Sequence, residues 1–268
     1  MSPTERHNRV MKCVLGGLLL GWFIKMPTFF WTYFNSTLHK YPMSFELFPS
    51  VFENPFIAQV FYFLPSLTVF AFFIKPEKWR SSSKLFTGAS LIFLLSSIVL
   101  MLHSATYNDA TFVTSFWVSL WLTWFSCHRQ EEHWPHACTL ALALVSVIFL
   151  GGFIGKCSAD WWSGKVLYGI IQSFFNHWPF EWLKNNTTFE ELETISKVMS
   201  WSIIFIELVL ASCVFWRRSI ALKYVPWILL GIVFFRTWRI LSVISSFMAV
   251  LWACLYLLPS KTAEEAER

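Results

Sequence analysis

The chain has 268 residues, a mass of 31.4 kDa and a formal net charge of +5, with 56% of its residues hydrophobic, 19% aromatic and 14% charged. An ordinary soluble domain carries about 25% charged residues, so this composition excludes a cytosolic enzyme, a disulfide scaffold, a coiled coil and a disordered tail. A mean hydropathy of +0.52 together with 16 Trp and 29 Phe reads as an integral membrane protein with aromatic-rich boundaries.

A membrane-spanning helix needs roughly 20 predominantly apolar residues. In chain order the sequence predicts spans over 13–34, 55–74, 85–102, 111–127, 137–155, 198–216, 219–235 and 238–258. The expected fold is all-α: a polytopic bundle of about eight transmembrane helices, forming one domain over residues 1–268. Arg6, Arg9 and Lys12 precede the first apolar run, which is long and followed by no A-x-A site, so an uncleaved first span is expected. With the N-terminus inside, 13 of the 21 Lys and Arg residues fall in inner segments, seven in outer segments, and Lys25 within a span. That bias predicts cytoplasmic termini, in a bacterial inner membrane or, in a eukaryote, the endoplasmic reticulum. It also makes most of the positive charge topological rather than a nucleic-acid face, which leaves membrane lipids as the expected surroundings.

Two stretches are too polar or interrupted to span, 35–54 and 156–197, and both fall on the outer side. Pro42 and Pro49 break the aromatics of the first, which is expected along the interface. The second runs from Lys156 through Trp161, Trp162 and Gly164 to T-F-E-E at 188–191, a helix N-terminus with acids in its first turn. The sequons Asn35-Ser36-Thr37 and Asn185-Asn186-Thr187 lie on this side.

The familiar soluble chemistries have no motif here: P-loop, G-x-G-x-x-G, G-x-S-x-G and H-E-x-x-H are all absent. Cys13, Cys127, Cys138, Cys157, Cys213 and Cys254 contain no C-x-x-C and read as small buried apolar residues. The inner loop C-H-R-Q-E-E-H-W-P-H-A-C, 127–138, gathers ligand-type residues at a spacing that fits no standard zinc site, and no metal is assigned.

Ionisable residues within spans are better guides, because each is costly in lipid unless paired or functional. Lys25 is expected to snorkel from the first span. Glu207 sits mid-span and should be protonated or paired with a cation such as Lys25 or Arg236. Lys156 follows G-G-F-I-G at the outer end of the fifth span, where an amine kept neutral by burial acts as a base and a charged one anchors at the interface.

The stretch G-G-F-I-G-K-C-S-A-D-W-W-S-G-K-V-L, 151–167, resembles the segment of the vitamin K-dependent gamma-carboxylases that carries their catalytic lysine. In that register Lys156 takes the place of the lysine, and Ala159, Asp160, Trp161 and Gly164 follow. H-S-A-T-Y-N-D-A-T-F at 103–112, N-H-W-P-F at 176–180, the acid Glu207 and W-R-R-S-I-A-L at 216–222 come in the family's order. Nearly the whole chain is covered, in the layout of the horizontally transferred transmembrane (HTTM) superfamily. Ala110 and Arg236 stand near places where the family has His, and the sequence closes at Arg268 without a counterpart of the family's lumenal domain.

The resemblance implies a lysine base acting on a reduced naphthoquinone, with reduced vitamin K or another quinone as cofactor. Two readings follow. One is an enzyme, carboxylase- or oxygenase-like, acting on a quinone or isoprenoid, with Lys156 as base and Asp160, Trp161, Trp162, Glu207 and Arg236 lining the site. The other is a non-catalytic membrane protein that binds a peptide, lipid or partner protein on the same fold. The enzyme reading requires Lys156 at the floor of an outward pocket with no carboxylate close enough to hold it charged.

Overall fold

A computed structural model describes residues 2–34, 54–74, 83–103, 109–174, 180–235 and 241–258. Nearly all of the outer stretch 35–54, as well as Arg236 and Arg239, lies outside these residues. The described residues are helical and contain no strand. Each of the eight expected apolar segments is occupied by helix: α1 Pro3–Phe34, α2 Pro55–Ile74, α3 Ser83–Leu102, α4 Ala110–Cys127, α5 Trp134–Gly155, then after three short helices α9 Phe189–Ala211, α10 Arg218–Phe235 and α11 Leu241–Leu257. The short ones are α6 Ala159–Trp162, α7 Lys165–Phe174 and α8 Phe180–Asn186. Four helical stretches are long and apolar enough to cross a membrane: Pro3–Phe30, Lys84–Leu102, Glu131–Gly155 and Phe189–Phe215.

The expected 198–216 segment is the later part of a longer helix. Thr188 caps α9 with a reciprocal capping box, its side chain accepting from the Glu191 amide while the Glu191 carboxylate accepts from the Thr188 amide at 2.8 Å. That cap starts the helix well before the apolar run, and the acids of T-F-E-E fill its first turn.

The chain divides into two compact units, Met1–Ala141 with Arg218–Arg268, and Leu142–Arg217. In the first, α1 lies directly against α11. A Cβ on Gly17 would stand 2.4 Å from the Ala249 Cβ and 3.0 Å from the Ser245 carbonyl oxygen; one on Gly21 would stand 2.6 Å from the Ser242 carbonyl oxygen. Gly17-x-x-x-Gly21 thus presents bare backbone to a face of Ser242, Ser245 and Ala249, the small-residue packing that lets two helices approach closely. Ser245 Oγ donates to the Gly17 carbonyl at 3.1 Å and Cys13 Sγ to the Ala249 carbonyl at 3.7 Å. Ascending positions on α1 meet descending ones on α11, so the two run antiparallel.

Helix α1 also runs antiparallel to α4. His7 Nε2 bonds the Phe125 carbonyl at 2.9 Å, and further along Trp22 Nε1 donates to Ser115 Oγ at 2.8 Å. Trp22 is the centre of an aromatic core. Its ring stacks on Tyr62 at 5.2 Å and meets Phe93 and Phe112 edge-on, while Phe29 stacks on Tyr62 at 3.9 Å. The Tyr62 hydroxyl donates to the Trp22 carbonyl. Lys25 does not snorkel as the sequence reading expects: its Nζ bonds Asp109 Oδ2 at 2.5 Å, and Asp109 Oδ1 accepts from the Thr111 amide at the start of α4. A carboxylate that caps one helix while neutralising a lysine on another spares both charges an unpaired place in the bundle.

Gly17→Ala and Gly21→Ala are each expected to lower stability by about 1–3 kcal/mol, because the added methyl meets packed or backbone atoms rather than a flexible side chain end. Gly16→Ala has nothing within 4 Å of the new methyl and should leave stability unchanged. Thermal unfolding of the three variants in one detergent checks this, and equal melting temperatures would contradict the close α1–α11 approach.

Candidate functional site

The second unit builds its site where α5 ends. Gly155 is the last residue of α5, and the amides of Lys156 and Cys157 close the end by bonding the Phe153 and Ile154 carbonyls at 3.0 and 3.1 Å. The chain then turns through α6 into α7. Gly164, at φ +80°, makes that turn possible: L side chains rarely adopt this backbone, and a Cβ here would lie 2.6 Å from the Lys197 Cα and amide nitrogen. The α6 turn is fastened to α9, since Ser200 Oγ donates to the Trp161 carbonyl at 2.6 Å and Trp201 Nε1 to the Trp162 carbonyl at 2.9 Å. Strongly amphipathic α7 buries Leu167 and Ile171 against Phe180 and Leu192.

Helices α5 and α9 run antiparallel, with Ser146 Oγ donating to the Ala211 carbonyl and Cys213 Sγ to the Leu142 carbonyl at 3.6 Å. This register brings Glu207 opposite Gly152. The missing side chain is what admits the carboxylate: a Cβ on Gly152 would stand 3.1 Å from Glu207 Oε2 and 3.4 Å from Oε1. Lys156 folds back along its own helix into the same place. Its Nζ lies 2.9 Å from Glu207 Oε1, 3.4 Å from the Gly152 carbonyl oxygen and 5.2 Å from the centre of the Trp161 ring. The side chains are only 18% and 15% exposed. An ammonium just past a helix C-terminus is further favoured by the negative end of the helix dipole. Glu207 Oε2 is buried and has no hydrogen-bond partner among the described residues.

Several sequence expectations change here. Lys156 has a carboxylate in direct contact, contrary to the requirement set for a neutral base, and that carboxylate is Glu207 rather than the nearer Asp160. Asp160 is exposed in the α6 turn. Glu207 has the cation that its position demands, but the cation is Lys156: Lys25 belongs to Asp109, and Arg236 lies outside the described residues. Trp161 does face Lys156, while Trp162 is 47% exposed and contributes its carbonyl to Trp201. The aromatics expected from 35–54 also fall outside the described residues. Gly152 and the α5–α9 pairing went unread, although opposite charges in two consecutive apolar segments and the glycines before Lys156 were the available signal.

In the 127–138 loop two of the histidines turn to local partners, and Cys127, like Cys13 and Cys157, is exposed rather than buried as the sequence reading expects. His128 Nδ1 bonds the Trp124 carbonyl at 2.8 Å and stacks on the Trp124 ring, and His133 Nε2 lies 3.5 Å from Glu132 Oε1. Among the described residues no three His, Cys, Asp or Glu side chains converge on a metal-sized site. Compared with family models, curated protein sequences and solved structures, the chain matches none.

Lys156→Met leaves the Glu207 charge largely buried and uncompensated, which is expected to cost about 3 kcal/mol. Lys156→Met combined with Glu207→Gln removes both charges and should recover most of that loss. Melting temperatures of the single and double variants check this; a double variant less stable than the single one would show that the two side chains are not coupled.

Proposed function

We propose that this chain is a helical membrane protein of the HTTM type, with eight spans and both termini cytoplasmic, which binds an amphipathic, lipid-soluble ligand without transforming it. The observation that carries the non-catalytic reading is the grip on Lys156: carboxylate, backbone carbonyl and indole face all engage its terminal nitrogen, so a substrate proton would have to compete with three groups already in place. The pair lies about 9 Å along the α9 axis from Trp201, given a rise of 1.5 Å per residue. On this reading the exposed Trp162 and Trp201 mark the aromatic boundary, and the pair lies on its apolar side. The eight-span order is supported by parity, since α1 opposes both α4 and α11, the expected first, fourth and eighth spans, and α5 opposes α9, the fifth and sixth. The split of 13 inner and seven outer basic residues supports the same arrangement.

The enzyme reading keeps one observation of its own. The Nζ to Oε1 distance of 2.9 Å puts a carboxylate within direct reach of the amine, beside Trp161. On this reading Lys156 is the base toward a reduced quinone or isoprenoid, and Glu207 stores its proton.

Two measurements separate these readings. Acylation with an amine-selective reagent at neutral pH should modify exposed Lys165 and spare Lys156 in the native protein, whereas equal labelling of the two would favour a neutral Lys156. Lipid extraction of the purified protein followed by mass spectrometry identifies the ligand. If a quinone is recovered and its turnover collapses in Lys156→Met while binding persists, the enzyme reading replaces the one proposed. For topology, Glu132→Cys and Asn185→Cys should be labelled by a membrane-impermeant thiol reagent from opposite sides, and labelling of both from one side overturns the eight-span arrangement.

A further inference from the structure

The turn after α6 and the first half of α9 bring two lysines to one place. Gly164 has no side chain to hold α9 away, and a Cβ there would lie 2.6 Å from the Lys197 Cα. Lys165 follows Gly164 by a Cα step of about 3.8 Å, so the two lysine side chains leave the backbone close together. Both are exposed. Among the described residues neither is in an ion pair: Glu193, one turn before Lys197 on α9, and Asp160 in the α6 turn are exposed and pair with neither lysine.

Beside this pair the surface changes character within one helical turn. Trp201 stands four residues after Lys197, about 6 Å along the α9 axis. Lys197 Nζ lies 5.3 Å from the centre of its ring. Trp201 also donates to the Trp162 carbonyl, which joins the turn to the helix at this level. Farther along α9, Trp201, Phe205 and Leu208 are all exposed, at spacings of four and three residues that put them on one face. Two cations without carboxylate partners, an indole band and then an apolar stripe follow in the order of the phosphate, interfacial and acyl levels of a phospholipid.

We propose that Lys165 and Lys197 hold the phosphate of an anionic phospholipid whose acyl chain lies along Trp201, Phe205 and Leu208. Two ammonium groups favour a headgroup with net negative charge over a zwitterionic one, whose own cation they repel. The site rests on the membrane level proposed above for Trp162 and Trp201, and not on any ligand at Lys156.

The test titrates the full chain in detergent with phosphatidylglycerol and with phosphatidylcholine, read by native mass spectrometry. The first phosphatidylglycerol bound should resist replacement by phosphatidylcholine at equal concentration. Lys165→Gln and Lys197→Gln should each weaken it roughly fivefold, and the two together about twentyfold. Lys197→Arg should keep most of the binding, and Lys184→Gln, the same charge loss in α8, should leave it unchanged. Inorganic phosphate at the same concentration should not displace the lipid, since it brings no acyl chain. Equal retention of the two lipids, undiminished binding in the double variant, or displacement by inorganic phosphate would overturn the proposal. The membrane level is read separately, from an environment-sensitive fluorophore on Ser202→Cys in lipid nanodiscs, which should emit as in an interfacial medium. Water-like emission would overturn the level and this site together, whereas interfacial emission without a lipid preference overturns the site alone.

Discussion

Helices apolar enough to cross a membrane gain little from burying Leu or Phe against one another, because lipid tails are as apolar as those side chains. What holds such helices in one arrangement is close fit and hydrogen bonding. The approach of α1 to α11 at Gly17 and Gly21 is the closest such fit described in the first unit, and other features depend on it. It aligns α1 so that Trp22 reaches Ser115, Tyr62 reaches the Trp22 carbonyl and Lys25 reaches Asp109. A helix displaced outward by a methyl group would shift all three contacts, each of which satisfies a polar group that lipid would leave unsatisfied.

The second unit applies the same rule with a different device. Glycine at 152 makes room for a charge rather than for a helix. Two ions that would each be costly in an apolar setting are brought together and given a carbonyl and an indole face, so the site presents little net charge to its surroundings. The α6 turn holds Trp161 over the ammonium because Gly164 accepts a left-handed conformation and because α9 anchors the Trp161 and Trp162 carbonyls.

Much of the helical content was legible because it rests on local signals. Long apolar runs place the helices, the T-F-E-E segment announces the α9 cap, and a carboxylate in the middle of an apolar run demands a cation. Partner choice was not legible. Lys156 meets Glu207 across a sequence separation of 51 residues by virtue of the α5–α9 register, which depends on glycine and serine positions that carry no charge signal. Asp160 stands four residues after Lys156, the spacing of an ion pair within one helix, but the helix ends at Gly155 and Asp160 lies exposed in the turn. Lys25 was read as a snorkelling side chain since nothing near it in sequence is acidic; Asp109 reaches it only when α4 packs on α1.

The pairing of α1 with α11 also has a temporal side. Ser245 and Gly17 are 228 residues apart in the chain, so a ribosome finishing α1 must make almost every other described helix before the surface that α1 needs exists. During that interval Gly17 and Gly21 offer an open groove of bare backbone to whatever helix is nearby. Mispairing with another copy is the hazard of such an uncovered face, and final closure waits on synthesis of the last described helix. Interruption within α11 therefore strands the first helix as well as the last.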